Sequence, residues 1–235
     1  MGNRQIRNNI LFLKTHKTGS STLQNILLRF GLKHSLDVML PETKNYLGYD
    51  KPLSGAFNSC FMPASRRFNI FTCHSRYHPQ TLNFMHNDTI RVTLLRDIPE
   101  HFESLYNFFG MQKSFNRTFE VFLNSLPDVT LNFTRGTVYS KSINQMSYDL
   151  GLSLVRPNDT IIANFVRYID KQFDFVLITE YFDVCLVLLA DLMAWPLEYV
   201  TYLPLMARAN EKKSGISAED AIKLGALNRA DSALY

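Results

Sequence analysis

The chain has 235 residues, of which 46% are hydrophobic and 20% charged, and this is enough apolar surface for one substantial core. Such a composition excludes an intrinsically disordered protein, and the chain contains no internal repeat. In its most hydrophobic region, the uncharged apolar run over residues 184–190 is far shorter than the roughly 20 residues that span a bilayer. The formal net charge of +4 comes from scattered basic residues, which argues against nucleic acid and favours a small anionic ligand.

The two ends of the chain suggest the limits of the domain. Residues 1–8 include basic side chains but lead into no uncharged apolar stretch with a cleavage site, so they predict an N-terminal extension and no signal peptide. Residues 9–235 predict one domain. The last residues keep a helical pattern with no capping glycine or proline after them, so we expect the domain to be incomplete at its C-terminus.

The cysteines and the glycosylation sequons carry little chemical information. No CxxC pair occurs, and no cluster of cysteine, histidine or acidic residues has the spacing of metal ligands, so no metal site is predicted. The cysteines are Cys60, Cys73 and Cys185.

Four Asn-X-Ser/Thr sequons occur where chance supplies about two or three, which slightly favours a secretory compartment. They begin at Asn87, Asn116, Asn132 and Asn158.

The first regular elements are a buried strand, a polar loop and a helix. Ile10–Leu13 is continuously apolar, KTHKTGSST follows it, and the next segment has apolar residues at helical spacing. We expect that helix to stop at Gly31, because glycine readily takes the conformation that ends helices. Residues 33–66 contain three prolines and two glycines without a sustained period, and they predict an irregular segment.

Later segments alternate between apolar strands and helices. Strands are predicted over residues 68–73, 90–95 and 173–178. Helices are predicted from Pro99 to Phe109, in pieces over 115–126, 140–150 and 161–170, and over 181–195. Continuously apolar strands separated by helices predict a three-layer α/β fold, with a central parallel sheet flanked by helices.

Ligands of such sheets bind beyond the carboxyl ends of the strands. Three features lie at those ends, namely the KTHKTGSST loop, His74 and Arg96. The loop can offer backbone N–H groups and the positive end of a helix dipole to a phosphate, with Lys17 as a mobile cation. The phosphate cradle would consist of Thr18, Gly19, Ser20, Ser21 and Thr22. The alternative is an ordinary strand-to-helix turn with a Ser or Thr cap.

These motifs resemble those of sulfotransferases that use 3′-phosphoadenosine 5′-phosphosulfate (PAPS). KTHKTGSST is similar to their 5′-phosphosulfate loop, and in LLRDIPEHFESLYNFF the residues Arg96 and Ser104 match the pair that binds the 3′-phosphate. More narrowly, FLKTHKTGSSTLQNILLRFG, RFNIFTCHSRYH and FDFVLITEYFDVCLVLLADLMAW resemble the galactose 3-O-sulfotransferase family. The resemblance runs from about Asn9 to the end of the chain and implies a P-loop-kinase-like fold.

The resemblance implies a role for each motif residue. Lys17 would neutralise charge that develops on the leaving phosphate oxygens, and residues 18–22 would hold the 5′-phosphate. Arg96 would bind the 3′-phosphate through two parallel hydrogen bonds, and Ser104 would add a hydroxyl donor. Side-chain cations can supply the positive charge, so no metal is implied.

The acceptor hydroxyl needs a base that works near neutral pH, and histidine suits that task. His74 is the first candidate because it follows a strand beside the cofactor loops, where related glycan sulfotransferases have a proposed catalytic histidine. Close relatives often have a second histidine where Cys73 stands here. This difference leaves open which histidine acts as the base. His16 lies inside the loop and is a second candidate for the base. It could instead orient Lys17 or contact the acceptor.

The family implies transfer of sulfate to the 3-hydroxyl of a terminal β-galactose on a glycolipid or glycoprotein. It also implies a lumenal Golgi enzyme, tied to the membrane by an anchor that this chain lacks. Arg76 and Tyr77 would contact the galactose, or would form a solvated strand end. Two alternatives stay open: a non-catalytic glycan- or nucleotide-binding relative, and a nucleotide-dependent kinase, which the lysine before the glycine disfavours because a GxxxxGK[ST] loop is absent.

Overall fold

The computed structural model describes residues 4–42, 44–48, 53, 62–126, 143–203 and 215–235. A parallel sheet lies at its centre, and its strands are β1 (Ile10–Leu13), β2 (Val38–Met39), β3 (Ile70–Phe71), β4 (Ile90–Leu95) and β5 (Phe175–Ile178). The strands follow the spatial order β2, β3, β1, β4, β5. The predicted α/β class with a parallel sheet is confirmed.

Helices cover both faces of the sheet. They are α1 (Ser20–Lys33), α2 (Ile98–Phe108), α3 (Met111–Phe115), α4 (Phe119–Asn124), α5 (Gln145–Asp149), α6 (Asp159–Gln172), α7 (Phe182–Met193), α8 (Ala218–Leu227) and α9 (Arg229–Leu234). Among the described helices, none combines the length and the apolar content that crossing a membrane requires.

Side chains of each strand alternate between two apolar clusters, which gives the three layers. Ile10 and Phe12 of β1 pack in one cluster with residues of α1 and α7. Leu11 and Leu13 face the opposite way and pack in a second cluster with residues of α2, α4 and α6. Both faces of β1 are fully buried, so its continuous apolar run matches its central place in the sheet.

The strand order brings the predicted ligand-binding loops together. β1 pairs with β3 on one side and with β4 on the other, both in parallel. The carboxyl ends of these three strands therefore lie side by side, and the segments that follow them begin at the same edge of the sheet.

Several predicted boundaries differ from the structure. The 68–73 strand is reduced to Ile70–Phe71, and β2 lies inside the segment predicted to be irregular, where pairing with β3 and not a local period creates the strand. The helix predicted over 115–126 is the shorter α4 (Phe119–Asn124), because Asn116 takes a left-handed conformation with φ 50° and ends the preceding α3 at Phe115. Part of the helix predicted over 140–150 lies outside the described residues.

Gly31 does not end α1, so that prediction is wrong. The helix continues to Lys33, and Gly31 lies inside it against the sheet. A Cβ atom placed on Gly31 would lie 2.9 Å from Cγ2 of Val38 and 3.0 Å from Cδ1 of Ile70. The glycine is therefore explained by the close approach of α1 to strands β2 and β3, and not by helix termination.

Two alanine substitutions in helices test this explanation. We expect Gly31→Ala to lower the free energy of unfolding by about 1–3 kcal/mol, because buried strand residues must move to admit the methyl group. Gly225→Ala is the matched control, because the nearest atom to its Cβ would be Oγ of Ser232 at 3.5 Å. That control should gain up to about 1 kcal/mol from helix propensity alone. Equal stabilities of the two variants in urea unfolding would contradict the packing explanation.

Candidate active site

The loop between β1 and α1 has the shape of an anion-binding turn. Lys17 and Gly19 both adopt left-handed conformations, with φ 58° and 78°. Gly19 is the N-cap of α1 and supplies no side-chain cap, and the first turn of the helix has no acidic residue. The N–H groups at this helix start are thus presented to an anion without a competing carboxylate. The alternative of a turn capped by a Ser or Thr side chain is wrong.

Hydroxyl groups of the loop hold its shape from within. Oγ of Ser20 donates to the carbonyl of Thr15 at 2.7 Å, and the hydroxyls of Thr15 and Thr18 are 2.9 Å apart. Oγ1 of Thr179, which follows β5, lies 2.7 Å from the carbonyl of Thr18 and 2.8 Å from that of Leu95. The hydroxyls of Ser20 and Thr18 therefore bond within the loop and help to hold its shape.

A buried lysine that sequence reasoning did not single out lies beneath the loop. The ammonium of Lys14 donates to Oγ of Ser21 at 3.1 Å and to Oε1 of Gln24 at 2.7 Å. Burial lowers the pKa of Lys14 to about 8. Because Oγ of Ser21 accepts from Lys14, the proton of that hydroxyl stays available for a further hydrogen bond. Thr22, the last residue of the predicted cradle, is buried in the first turn of α1.

Arg96 contacts the loop through the backbone of Lys17. The ammonium of Lys17 lies 4.2 Å from the centre of the Phe108 ring, near the end of α2. Nη1 of Arg96 donates to the carbonyl of Lys17 at 3.1 Å. Ser104 is buried in the second turn of α2, the helix that follows Arg96. The structure thus brings Arg96 and the loop together, as two anionic groups of one ligand require.

The two candidate histidines stack on each other at the same edge. The rings of His16 and His74 are 4.1 Å apart between centres, and the ring of Tyr46 stacks against both, at 5.1 Å from His74 and 5.9 Å from His16. Nδ1 of His74 donates to the carbonyl of Lys14 at 2.9 Å, so the lone pair of this ring lies on Nε2. Burial, followed by the nearby charges of His16 and Lys14, lowers the pKa of His74 to about 3.

A buried carboxylate on α5 holds the other histidine. Asp149 is fully buried, and its Oδ2 lies 2.8 Å from the backbone N–H of His16 and 3.0 Å from Nδ1 of the ring. Burial by itself would raise the pKa of Asp149, but the charge and hydrogen bonds of His16 outweigh it and lower that pKa. Asp149 and His16 are 133 positions apart in the chain, so no local motif could have revealed the pair.

The predicted acceptor residues Arg76 and Tyr77 bond to other parts of the chain. The guanidinium of Arg76 lies over the ring of Tyr148, 4.7 Å from its centre, and donates to the carbonyl of Gly151. Tyr77 is 5% exposed and its hydroxyl donates to Gln172 at 2.9 Å. The ring of Tyr77 is therefore a core group, which corrects the expectation that it forms a solvated strand end or stacks on a sugar.

Three of the four sequons can be located, because Asn132 lies outside the described residues. Asn87, Asn116 and Asn158 are exposed. The side chain of Asn158 also accepts from the N–H of Ile161 and caps α6. Exposure is compatible with modification, and the glycosylation of these asparagines stays a prediction.

Within the residues that the structure describes, no group of three His, Cys, Asp or Glu side chains is arranged to hold a metal ion.

The strand order and the glycine-bearing loop define the class of protein. A parallel sheet in the order 2-3-1-4-5, with an anion-binding turn between its first strand and first helix, is typical of the P-loop-kinase-like α/β class to which sulfotransferases belong. A family model described as galactose-3-O-sulfotransferase matches residues 1–235. The chain belongs to the galactose-3-O-sulfotransferase family.

Curated relatives agree with that family. The chain is 35% identical to human galactosylceramide sulfotransferase, over 100% of this chain and 56% of that protein. It is 34% identical to bovine galactose-3-O-sulfotransferase 3, over 96% of this chain and 55% of that protein. The chain thus spans about half the length of the curated relatives it matches.

Proposed function

We propose that this chain contributes the catalytic machinery of a sulfotransferase that acts on the 3-hydroxyl of a terminal β-galactose, with PAPS as the donor. The observation that carries the proposal is the meeting of the anion-binding loop, Arg96 and two stacked histidines at one edge of the sheet. Family membership and the names of the relatives support the galactose acceptor. The acceptor would end in galactose on a glycolipid or glycoprotein.

The donor set at the edge suits a ligand with two anionic groups. The start of α1 offers backbone N–H groups, Lys17 adds a cation at the loop, and Arg96 adds a guanidinium beside it. Bound PAPS would supply the sulfuryl group, whose bond to the 5′-phosphate oxygen breaks as the acceptor oxygen bonds to sulfur. Lys17 would stabilise the charge left on the phosphate, and Arg96 with Ser104 would bind the 3′-phosphate.

A histidine of the stacked pair would take the acceptor proton. His74 was the first candidate from its place after β3, and its Nε2 does carry a lone pair. The contact with Asp149 supports His16 as the base, because the carboxylate would compensate a positive charge on the His16 ring. The Golgi lumenal location and the membrane anchor that the family resemblance implies belong to this proposal and remain to be tested.

The role of Arg96 predicts a loss of affinity for the desulfated donor, 3′-phosphoadenosine 5′-phosphate. Arg96→Lys keeps the charge but loses the paired donors, so we expect its dissociation constant to rise about 10–100-fold in calorimetry. Arg91→Lys is the matched control, since Arg91 belongs to the preceding strand and is paired with Asp174. Unchanged affinity in Arg96→Lys, or an equal loss in the control, would contradict this role.

The activity itself is tested by incubating the protein with radiolabelled PAPS and galactosyl or lactosyl acceptors. Label on the 3-hydroxyl of galactose, located by NMR of the product, is the expected result. Tight binding of 3′-phosphoadenosine 5′-phosphate without transfer would contradict the proposal and indicate a non-catalytic binding protein. Magnesium-dependent phosphorylation by ATP would replace it with a kinase.

A further inference from the structure

We propose that Asp149 is a positioning residue for catalysis, which holds His16 with its proton on Nδ1 and its lone pair on Nε2. This inference rests on the proposed function, because it concerns the proton of the acceptor hydroxyl. Asp149 would touch neither the donor nor the acceptor and would act through His16 alone.

The contacts fix both the place and the tautomer of the histidine. Oδ2 of Asp149 accepts from the backbone N–H of His16 at 2.8 Å, and the two carboxylate oxygens lie 3.0 and 3.1 Å from Nδ1. An ionised carboxylate only accepts hydrogen bonds, so Nδ1 must carry the proton. In the neutral ring Nε2 then holds the lone pair, and it lies 3.4 Å from the hydroxyl of Tyr46.

Other groups hold the carboxylate in its orientation. Nε2 of Gln145 donates to Oδ1 of Asp149 at 2.8 Å, and both residues belong to α5. The start of α5 is in turn bound by Asp231 of α9, which accepts from the N–H groups of Met146 and Ser147. Asp149 therefore sits on a buried and well-bonded support, as a group that orients a catalytic side chain requires.

The arrangement favours His16 over His74 as the proton acceptor. A proton taken by Nε2 of His16 would leave an imidazolium beside the Asp149 carboxylate. A proton taken by His74 would leave an imidazolium whose other nitrogen meets only the carbonyl of Lys14, with the ammonium of Lys14 nearby. In the proposed step the acceptor O–H bond breaks and its proton bonds to Nε2 of His16. The acceptor oxygen bonds to sulfur as the bond between sulfur and the 5′-phosphate oxygen of PAPS breaks, and 3′-phosphoadenosine 5′-phosphate leaves.

Asp149→Asn is the sharpest test. The amide can still accept from the His16 backbone, but it presents NH₂ to Nδ1 and so favours the opposite tautomer. We expect kcat to fall by about 10²–10⁴-fold, with the KM for PAPS and the affinity for 3′-phosphoadenosine 5′-phosphate within about threefold of wild type. Asp231→Asn is the control: it changes another fully buried aspartate that supports α5 but does not contact His16.

Two results would overturn the proposal. One is a kcat of Asp149→Asn near that of wild type, and the other is a loss of kcat matched by Asp231→Asn and by a parallel loss of cofactor affinity and melting temperature. The tautomer is measured separately by ¹⁵N NMR of the imidazole in the wild-type protein, whatever the variant's stability. Protonated Nδ1 and bare Nε2 on His16 support the proposal, and the reverse contradicts it. If wild type transfers no sulfate, the proposed function fails while the NMR result still decides the pairing.

Discussion

Replacing Lys17 by alanine is expected to lower kcat for sulfuryl transfer by about 10²–10³-fold, the usual loss when a preorganised group that stabilises developing charge is removed. Lys17 lies in the turn before α1 with φ 58°, and its side chain reaches the Phe108 ring. The measurement is the initial rate with saturating PAPS and a galactoside acceptor.

The control for Lys17 is Lys33, the last residue of the helix α1 that follows the loop. Lys33 is exposed and pairs with Glu198, away from the loop. Lys33→Ala should keep the wild-type kcat, because an exposed ion pair contributes little to stability. If Lys17→Ala retains more than about a tenth of the wild-type kcat, the ammonium does not stabilise the leaving phosphate, and backbone N–H groups must do so alone.

Substitution of the stacked histidines is expected to rank them. We expect His16→Ala to lower kcat by about 10²–10⁴-fold, because it removes the proposed proton acceptor and the partner of a buried carboxylate. His74→Ala should cost less, about tenfold, because His74 supports the ring of His16 by stacking at 4.1 Å. The rates are compared at saturating donor, with binding of 3′-phosphoadenosine 5′-phosphate as the test of intact folding.

If His74→Ala loses more kcat than His16→Ala, then His74 is the base. A near-total loss in His74→Ala, with His16→Ala active above about a tenth of wild type, would show that proton transfer uses His74. The double substitution adds a check. If the two rings act as one unit, its kcat should be close to that of His16→Ala alone and not the product of the two effects.

Much of the fold follows from local patterns in the sequence. Ile10–Leu13 and Ile90–Leu95 are continuous apolar runs because both faces of a central parallel strand are buried. The periodic apolar faces of α1 and α6 likewise predict their helices. By contrast, β2 has two residues and no pattern of its own, since it exists through pairing with β3. The prediction that Gly31 ends α1 is wrong because this glycine is required by the close approach of Val38 and Ile70, which belong to strands distant in the sequence.

The candidate site divides in the same way. The loop between β1 and α1, Arg96 and the two histidines are predicted from the chain alone, because each follows a strand at a recognisable place and the strand ends of a parallel sheet converge. The residues that support them are found only through tertiary contacts. Asp149 reaches His16 across 133 positions. Such pairings are set by how distant segments pack, and no local spacing records them.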